Sequence, residues 1–255
     1  MERGRGSIRR NLSRVQILEK SVLITGGAKR LGYEMAISLA KKGWAIALHY
    51  RSSAKDAEAT KQLVEKSGVR CQLFQADLEN SKNAVDMLKS VLEFFPGLDL
   101  LVNNASVFDQ SPLASVVETI FDRQFDVNFK SPFFLTQHYS QSCDSGHVVN
   151  ILDTKIQSNR AGRFTAYNIS KKALMHLTKM SAVDLSPRFR VNAIAPGPVL
   201  RASEASEEEF QMRIQETLLK KEIPENSISL ALSYLIENPN LTGQILYCDN
   251  GSHLN

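Results

Sequence analysis

A regular alternation of short apolar runs and amphipathic segments restricts the fold of this chain more than any other feature. Apolar runs of strand length cover residues 21–25, 44–50, 71–75, 98–102, 147–152, 190–194 and 244–248. Between them lie segments with helical spacing or a charged, helix-favouring composition: 30–42, 54–66, a stretch that ends at Leu92, 114–138, 164–184, 206–219 and 226–236. Strands that alternate with helices favour a parallel sheet covered on both faces. We therefore predict an α/β fold that binds ligands at the carboxyl ends of its strands.

One domain accounts for this pattern. The chain has 255 residues, and no repeat, low-complexity segment or linker divides it. We expect a single Rossmann-like, doubly wound sheet over residues 21–255, because right-handed crossovers place helices on both faces. Cys71, Cys143 and Cys248 are isolated from one another and form no C-x-x-C pair. We therefore expect neither a metal site nor a disulfide framework, and we place the protein in a reducing, cytoplasmic compartment.

The positive charge is confined to the beginning of the chain. The formal net charge is +4, and residues 1–20 carry six Arg or Lys side chains against two Glu, so the rest of the sequence is balanced. We expect the body of the protein not to bind nucleic acid. The basic segment is interpreted as a disordered extension; Glu2 argues against a transit peptide, and docking of a partner stays open. No apolar run of about 18 residues is present, so we expect no association with a membrane.

A glycine-rich turn follows the first apolar run. The sequence Thr25-Gly-Gly-Ala-Lys-Arg-Leu-Gly32 joins that run to a helical segment. Glycines permit a tight turn and close approach of the backbone, and a helix N-terminus favours a pyrophosphate. The spacing does not match G-x-G-x-x-G, so these residues alone equally allow an ordinary glycine-rich turn.

Tyr167 and Lys171 are the strongest candidates for chemistry. They lie one turn apart on the predicted helix 164–184, so both side chains face the same side. We expect the ammonium group to lower the pKa of the phenol from about 10 toward neutral pH, which suits a general acid. A Tyr-x-x-x-Lys spacing by itself is common, and its place after the fifth strand is what favours the catalytic interpretation.

These motifs together resemble the short-chain dehydrogenase/reductase family over about residues 20–255. Thr25, Gly26 and Gly32 match the family's T-G-x-x-x-G-x-G. Arg30 replaces the middle glycine, as in pteridine reductases, where that arginine faces the cofactor phosphates and the substrate; a solvated residue at a helix start is the alternative. The resemblance implies a nicotinamide dinucleotide bound through Gly26, Arg30, Leu31 and Gly32.

The end of the second strand distinguishes NAD from NADP. NAD enzymes place an acidic residue there to bind the ribose hydroxyls, whereas here the first acidic residue is Asp56. Arg51 and two neighbouring hydroxyls suit the extra 2′-phosphate, although a polar loop with an unrelated arginine is the alternative. We expect NADPH/NADP as the cofactor, bound by His49, Tyr50, Arg51, Ser52 and Ser53.

Other strand ends carry further family motifs. Asn103-Asn104-Ala105-Ser106 resembles N-N-A-G, and residues 196–199 match P-G-x-[VI]. Local capping is the alternative for the asparagines, and an ordinary turn is the alternative for the prolines. The resemblance implies an adenine contact at Asp77 and a nicotinamide contact from the main chain of Val199. The expected cofactor contacts in these segments are Asp77, Leu78, Asn104, Ala105, Ser106, Pro196, Gly197 and Val199, and Tyr167 and Lys171 join them.

Two further catalytic positions follow from the resemblance. Asn128 matches the family's helix asparagine, which supports a proton relay through an ordered water beside the lysine; an asparagine satisfied within its helix is the alternative. Counting from Asn150 in the fifth strand places Asp153 at the position of the family's serine, whereas counting back from Tyr167 gives Thr154. We prefer Asp153, since loops absorb insertions more readily than strands, and pteridine reductases carry an aspartate there.

The expected substrate is a dihydropterin. Phe108 aligns with the aromatic residue that stacks on pterins in pteridine reductases, although ordinary packing would also explain it. The resemblance implies substrate contacts from Arg30, Ser106, Phe108, Asp153 and Tyr167. A generic carbonyl or 3-oxoacyl-carrier-protein reductase and a non-catalytic NADP sensor are the alternatives. Relatives are usually tetramers, so we also expect a homotetramer built partly from the helices near 114–138 and 164–184.

Overall fold

A computed structural model of the protein describes residues 19–159, 162–201 and 205–255. The predicted basic extension therefore lies outside the described residues, except for Glu19 and Lys20. Within the described part of the chain, seven strands form one all-parallel sheet in the order β3-β2-β1-β4-β5-β6-β7. The predicted doubly wound α/β fold is confirmed. The strands are β1 Ser21–Ile24, β2 Ala45–Tyr50, β3 Cys71–Gln75, β4 Leu100–Asn103, β5 Gly146–Ile151, β6 Phe189–Pro196 and β7 Ile245–Cys248.

Among the described residues, eight α-helices connect and cover the strands. Two apolar clusters lie on opposite faces of the sheet: α1, α2 and α8 contribute to one, and α3, α5 and α6 contribute to the other. The central strands are buried on both faces, which explains why they are continuous apolar runs in the sequence. The helices are α1 Arg30–Ala40, α2 Ala54–Glu65, α3 Ser81–Phe94, α4 Glu118–Phe125, α5 Ser131–Ser142, α6 Thr165–Asp184, α7 Glu207–Gln215 and α8 Asn226–Glu237.

The helix predicted around 114–138 is present, but it is shifted and contains an unexpected feature. Helical backbone runs without a break from Glu118 to Ser142, and a π-helical turn at Asp126–Lys130 lies between α4 and α5. This turn contains Asn128, whose side chain is fully buried and bonds to the segment after β4, to α4 and to α6. A π turn adds a residue locally and re-aims a side chain, which hydrophobic spacing does not reveal. The helix predicted over 206–219 is also shorter, since α7 ends at Gln215.

The strand order reverses direction between β1 and β4. β1 pairs with β2 on one side and with β4 on the other, so the chain continues to opposite sides after β1 and after β4. This arrangement is the one that forms a crevice at the carboxyl ends of the strands. Ligands of open parallel sheets bind at such a switch point. No helix among the described residues is long and apolar enough to cross a membrane, and no group of three potential metal-ligating side chains occurs among them.

Candidate active site

The turn after β1 accepts only glycine at its critical positions. Gly26 has φ +63°, and a Cβ on Gly32 would lie 2.2 Å from the carbonyl oxygen of Gly26. Such a contact is impossible, and the strained alternative would move the turn away from α1. The missing side chains leave an open cradle beside the N-terminus of α1, where backbone N–H groups favour an anion. Leu31 lies in the first turn of this helix and is half-buried.

Arg30 keeps a glycine-type backbone conformation while carrying a long cationic side chain. Its φ is +55°, in the left-handed region, which is unfavourable for residues with a Cβ. The exposed guanidinium donates from Nη1 to the carbonyl oxygen of Arg201 at 3.0 Å. Arg30 therefore spans the crevice from the glycine turn to the segment after β6. Strain of this kind persists where the surrounding structure requires it.

His49 has a different position from the one expected of a cofactor-binding residue. The side chain is buried, Nδ1 accepts from the backbone N–H of Gly26 at 2.9 Å, and Nε2 lies 3.1 Å from the carbonyl oxygen of Ala76. Burial lowers its pKa to about 4, so the ring is neutral. Both ring nitrogens are used inside the protein, and His49 holds the glycine turn against the end of β3 instead of offering a polar atom to a ligand.

The asparagine segment after β4 is fastened to the same turn. The Thr25 hydroxyl accepts from the backbone N–H groups of Asn104 and Ala105, and the Asn104 amide donates to the carbonyl oxygens of Thr25 and Gly26. Ser106 is exposed, and its hydroxyl donates to Asn128 Oδ1 at 2.9 Å. Asn104 therefore fixes the shape of the crevice through contacts within the protein.

Arg51 pairs with an acidic residue that lies far away in the sequence. It follows β2 directly, and its Nη1 donates to Glu79 Oε1 at 2.8 Å. The same oxygen accepts from Arg123 Nε at 2.8 Å, and Arg123 Nη1 donates to Asp109 Oδ2 at 2.9 Å. Tyr50, Ser52 and Ser53 surround Arg51 at this edge and are partly or fully exposed. Glu79 lies in the turn after Asp77 and Leu78, and no sequence motif marked it as a site residue.

Asp153 and Thr154 point in different directions, which separates the two candidates for the third position. The Tyr167 hydroxyl donates to Asp153 Oδ2 at 2.9 Å. The Thr154 hydroxyl instead donates to the buried carboxylate of Asp249 near the C-terminus, and His253 pairs with that same carboxylate. The structure thus places Asp153 beside the phenol and Thr154 away from it.

Lys171 lies below Tyr167 in a fully buried position. Its Nζ donates to the carbonyl oxygen of Ile151 at 2.8 Å, and the ammonium group is 6.0 Å from the centroid of the Tyr167 ring. Burial lowers the pKa of Lys171 to about 8, while Asp153 opposes this shift. The two side chains share one face of α6, as their spacing predicts.

The prediction that the pKa of Tyr167 is lowered is wrong for the protein without cofactor. Burial raises the pKa of this phenol well above 10, and the negative charge of Asp153 raises it further, whereas the nearby Ser106 hydroxyl lowers it. The ammonium group of Lys171 is tied to the main chain of β5 and does not touch the phenolic oxygen. Tyr167 is therefore held protonated, with its proton directed at a carboxylate.

An aromatic stack extends outward from Tyr167. Phe108 meets Tyr167 edge to face at 4.6 Å between centroids and stacks on Phe164 at 4.2 Å with an interplanar angle of 14°. The ammonium group of Lys155 lies 5.7 Å from the Phe164 ring and the guanidinium of Arg163 lies 6.0 Å from it. Phe164, Lys155 and Arg163 were not among the predicted site residues, since nothing in their spacing signals that they surround Phe108.

The segment after β6 closes the other side of the crevice. The Gly197 N–H donates to the carbonyl oxygen of Cys248, and a Cβ at this residue would lie 2.7 Å from Asp249 Cα. The backbone N–H of Val199 donates to the carbonyl oxygen of Gly197, which makes a tight turn after Pro196. All of the predicted strand-end segments therefore meet at one edge of the sheet.

Comparison with known proteins agrees with this geometry. The family model for short chain dehydrogenases matches residues 20–213. The chain belongs to the short-chain dehydrogenase family. An uncharacterised oxidoreductase from Thermotoga maritima is 31% identical over 91% of this chain and 97% of its own length. The 3-oxoacyl-[acyl-carrier-protein] reductase FabG of Staphylococcus epidermidis is 26% identical over 93% of this chain and the whole of its own length.

Solved structures also superpose on the chain. FolM alternative dihydrofolate reductase 1 from Brucella canis, in complex with NADP, has a TM-score of 0.86 and 33% identity over 92% of this chain and 95% of that one. The corresponding protein from Brucella suis, also with NADP, has a TM-score of 0.88 and 33% identity over 92% of this chain and 96% of that one. These relatives include both dihydrofolate and 3-oxoacyl reductases, so membership of the family establishes an oxidoreductase and not its substrate.

Proposed function

We propose that this protein is an NADPH-dependent reductase that transfers hydride to a dihydropterin, with Tyr167 as the proton donor. The observation that carries this proposal is the hydrogen bond of 2.9 Å from the Tyr167 hydroxyl to Asp153. A family member with the usual serine at this position would place a neutral hydroxyl there, whereas this chain places a carboxylate beside a buried phenol. Short-chain dehydrogenases that reduce pterins resemble this chain at that position and at Arg30.

The cradle after β1 suits the pyrophosphate of a dinucleotide. Gly26 and Gly32 leave no side chain between the backbone and the crevice, and any Cβ at Gly32 would collide with the turn. Arg30 and the start of α1 supply positive charge. Asp77 and Leu78 would lie along the adenine ring, and Ala105, Ser106, Pro196, Gly197 and Val199 along the nicotinamide half. NADP in complex with the Brucella structures supports the choice of cofactor.

Arg51 is the residue that we assign to the 2′-phosphate. It lies at the end of β2, where enzymes of this architecture recognise the adenosine ribose. Ser52 and Ser53 add hydroxyl donors on the exposed edge. A guanidinium binds a phosphate through two parallel hydrogen bonds, which makes it the preferred partner at such a site.

The protein residues then have distinct tasks in the reaction. NADPH, when bound, supplies the hydride that goes to a carbon of the substrate C=N bond. Tyr167 gives its proton to the adjacent nitrogen, so the reduced product gains one hydride and one proton. Asp153 receives the phenolic hydrogen bond beforehand and positions it. Lys171 orients the nicotinamide ribose, and Asn128 holds the Ser106 segment through its Oδ1.

The aromatic stack supports a flat, heteroaromatic substrate. Phe108 borders Tyr167, and Phe164 lies directly behind Phe108. We propose that a pterin ring packs along Phe108 between Tyr167 and the nicotinamide. Lys155 and Arg163 lie beyond Phe164, at a distance where they suit the carboxylate tail of a folate-type dihydropterin. Burial lowers the pKa of Lys155, and Arg213 adds to this effect.

A generic carbonyl or 3-oxoacyl-carrier-protein reductase is the second candidate, because FabG of Staphylococcus epidermidis aligns along its whole length. The discriminating experiment follows NADPH oxidation with dihydrobiopterin, dihydrofolate, a generic ketone and an acetoacetyl thioester. Our proposal requires the highest kcat/KM with one of the two dihydropterins. Preference for the thioester would replace it with the second candidate. Tight NADPH binding without turnover of any substrate would indicate a sensor.

We also propose a homotetramer. Apolar side chains remain exposed on α4, α5 and α6, and the largest exposed fractions on α6 are 63% for Met180 and 76% for Val183. Three helices that pack together and keep exposed apolar side chains suit an interface between copies. Light scattering of the purified protein tests this, and a monomeric mass at micromolar concentration would contradict it.

A further inference from the structure

Glu79 forms ion pairs at the place where we expect the 2′-phosphate of NADPH to bind. Arg51 is the cation that we assign to the 2′-phosphate, and its Nη1 is already 2.8 Å from the carboxylate of Glu79. A phosphate group carrying up to two negative charges would therefore enter beside a carboxylate. Like charges at such a distance repel, and the repulsion would oppose NADPH far more than NADH, which has no 2′-phosphate.

Glu79 is held firmly in this position. Its backbone N–H donates to Asp77 Oδ1 at 3.0 Å, which closes the turn after β3. The neighbouring carbonyl oxygen of Leu78 accepts from the Ser131 hydroxyl at 2.7 Å, so the turn is also tied to α5. The backbone of Glu79 is therefore fixed at the edge of the site, and the bond from Arg123 holds its carboxylate there when Arg51 changes partner.

Arg123 neutralises the same oxygen from the opposite side. Its Nε donates to Glu79 Oε1 at 2.8 Å, and its Nη1 donates to Asp109 at 2.9 Å. Arg123 is on α4, and Gln124 anchors the carbonyl oxygen of Asp109 at 3.0 Å. Glu79 thus has two cationic partners, of which only Arg51 is placed to meet a phosphate.

We infer that Glu79 and Arg123 form an internal counter-ion pair that tunes the preference for NADPH over NADH: the charge of Glu79 weakens this preference, and Arg123 limits that loss. Before NADPH binds, Glu79 holds Arg51 in an extended position at the end of β2. When the 2′-phosphate arrives, Arg51 exchanges Glu79 for the phosphate, and Arg123 keeps the released carboxylate neutralised. Neither Glu79 nor Arg123 needs to touch the cofactor, so both act as specificity-determining residues through Arg51. This inference rests on the proposed cofactor and is independent of the proposed substrate.

The size of the effect follows from exposure. The side chains of Arg51, Glu79 and Arg123 are 46%, 38% and 32% exposed, so solvent screens their interaction. Pairs of this kind contribute about 0.2–1 kcal/mol, which corresponds to changes in Kd of up to roughly fivefold. We therefore expect the exchange of Arg51 between Glu79 and the phosphate to affect cofactor preference and not folding.

The test is a double-mutant cycle on cofactor binding, with Kd measured for NADPH and for NADH by fluorescence titration without substrate. Glu79→Gln keeps the shape and removes the charge, and we expect NADPH to bind roughly two- to fivefold more tightly while NADH changes little. Arg123→Gln leaves Glu79 with Arg51 as its sole partner among these side chains, and we expect NADPH to bind weaker by a similar factor. In the double variant the loss caused by Arg123→Gln should largely disappear.

The matched control is Glu237→Gln, which removes an exposed carboxylate 2.7 Å from Lys42, far from the end of β2. It should change neither Kd. Weaker or unchanged NADPH binding in Glu79→Gln would overturn the inference, and so would equal factors for the two cofactors, which would indicate a structural role. The melting temperature of each variant establishes that it is folded. Because no substrate is present, failure of the dihydropterin assay would leave this result intact.

Discussion

The two ends of the crevice achieve their effects by different physical means. At the catalytic end, Tyr167 and Lys171 are 6% and 2% exposed, and burial dominates the pKa shifts of both groups. At the opposite end, Arg51 and Glu79 are exposed and are organised by pairing of opposite charges. Burial shifts the pKa values of Tyr167 and Lys171 strongly, whereas exposed ion pairs can exchange partners at small cost. We therefore expect substitutions at the catalytic end to change turnover, and substitutions at the opposite end to change cofactor affinity.

Tyr167→Phe should have the largest effect of these variants, and the effect should fall on turnover alone. Removal of the phenol that donates to Asp153 should lower kcat by about 10²–10⁴-fold, the usual contribution of a positioned general acid. The Kd for NADPH should stay within about twofold of wild type. Steady-state NADPH oxidation and fluorescence titration measure the two quantities. Tyr234→Phe, an exposed position on α8, is the control. Comparable turnover in wild type and Tyr167→Phe would remove Tyr167 as the proton donor.

Arg51→Ala addresses the opposite end. Loss of charge-assisted hydrogen bonds, worth about 1.5–3 kcal/mol, should weaken NADPH binding by roughly 10- to 100-fold. NADH should be affected far less, and kcat at saturating NADPH should stay near that of wild type. Equal losses for NADH and NADPH would refute the assignment of Arg51 to the 2′-phosphate.

Lys171→Met should change stability and turnover in opposite directions. The pKa of Lys171 falls from 10.5 to about 8, so the folded protein binds fewer protons than the unfolded chain between these pH values. Wild-type stability therefore rises with pH across this window, and below pH 8 the full penalty of about 3 kcal/mol is present.

Partial recovery of that penalty, offset by the lost bond to Ile151, should raise the melting temperature of Lys171→Met at pH 7 by roughly 2–4 °C. The gain should shrink as the pH rises toward 10.5, while turnover is strongly reduced at every pH. Thermal scans across this range, without cofactor, provide the measurement. A variant less stable than wild type at pH 7 would show that burial of the ammonium group carries no such penalty.

Thr154→Val should have the smallest effect on turnover. The Thr154 hydroxyl faces Asp249 and not Tyr167, so kcat should change by no more than about threefold. Stability should fall by about 1–3 kcal/mol, because the buried carboxylate of Asp249 loses a donor. Chemical denaturation and steady-state kinetics measure the two effects. A large loss of kcat with unchanged stability would make Thr154 the third catalytic residue in place of Asp153.

The fold could be predicted because its signal is local. Each buried strand is an apolar run, and each run ends at a motif, so the order of strands and helices follows from the sequence directly. The π turn at Asn128 within the predicted helix was not foreseen, because such a turn depends on what the side chain contacts. Hydrophobic spacing contains no information on such contacts.

The site could be predicted only where a motif marks it. Tyr167, Lys171 and the strand-end segments meet at one edge of the sheet, as their order indicates. Glu79 lies 28 residues from Arg51, and the parallel register that pairs Tyr50 with Gln75 brings the two together. The pKa of Tyr167 moved in the opposite direction from the prediction because burial, which spacing does not show, outweighs the distant ammonium group.

The central claim is that burial and Asp153 keep Tyr167 protonated so that it can donate. A spectrophotometric pH titration of tyrosinate, in which the curve for Tyr167→Phe is subtracted from that for wild type without cofactor, measures this state directly. The account predicts no ionisation of Tyr167 below pH 10, since its pKa is raised above that value. A tyrosinate of one residue's amplitude that appears near neutral pH in wild type and is lost in Tyr167→Phe would contradict it.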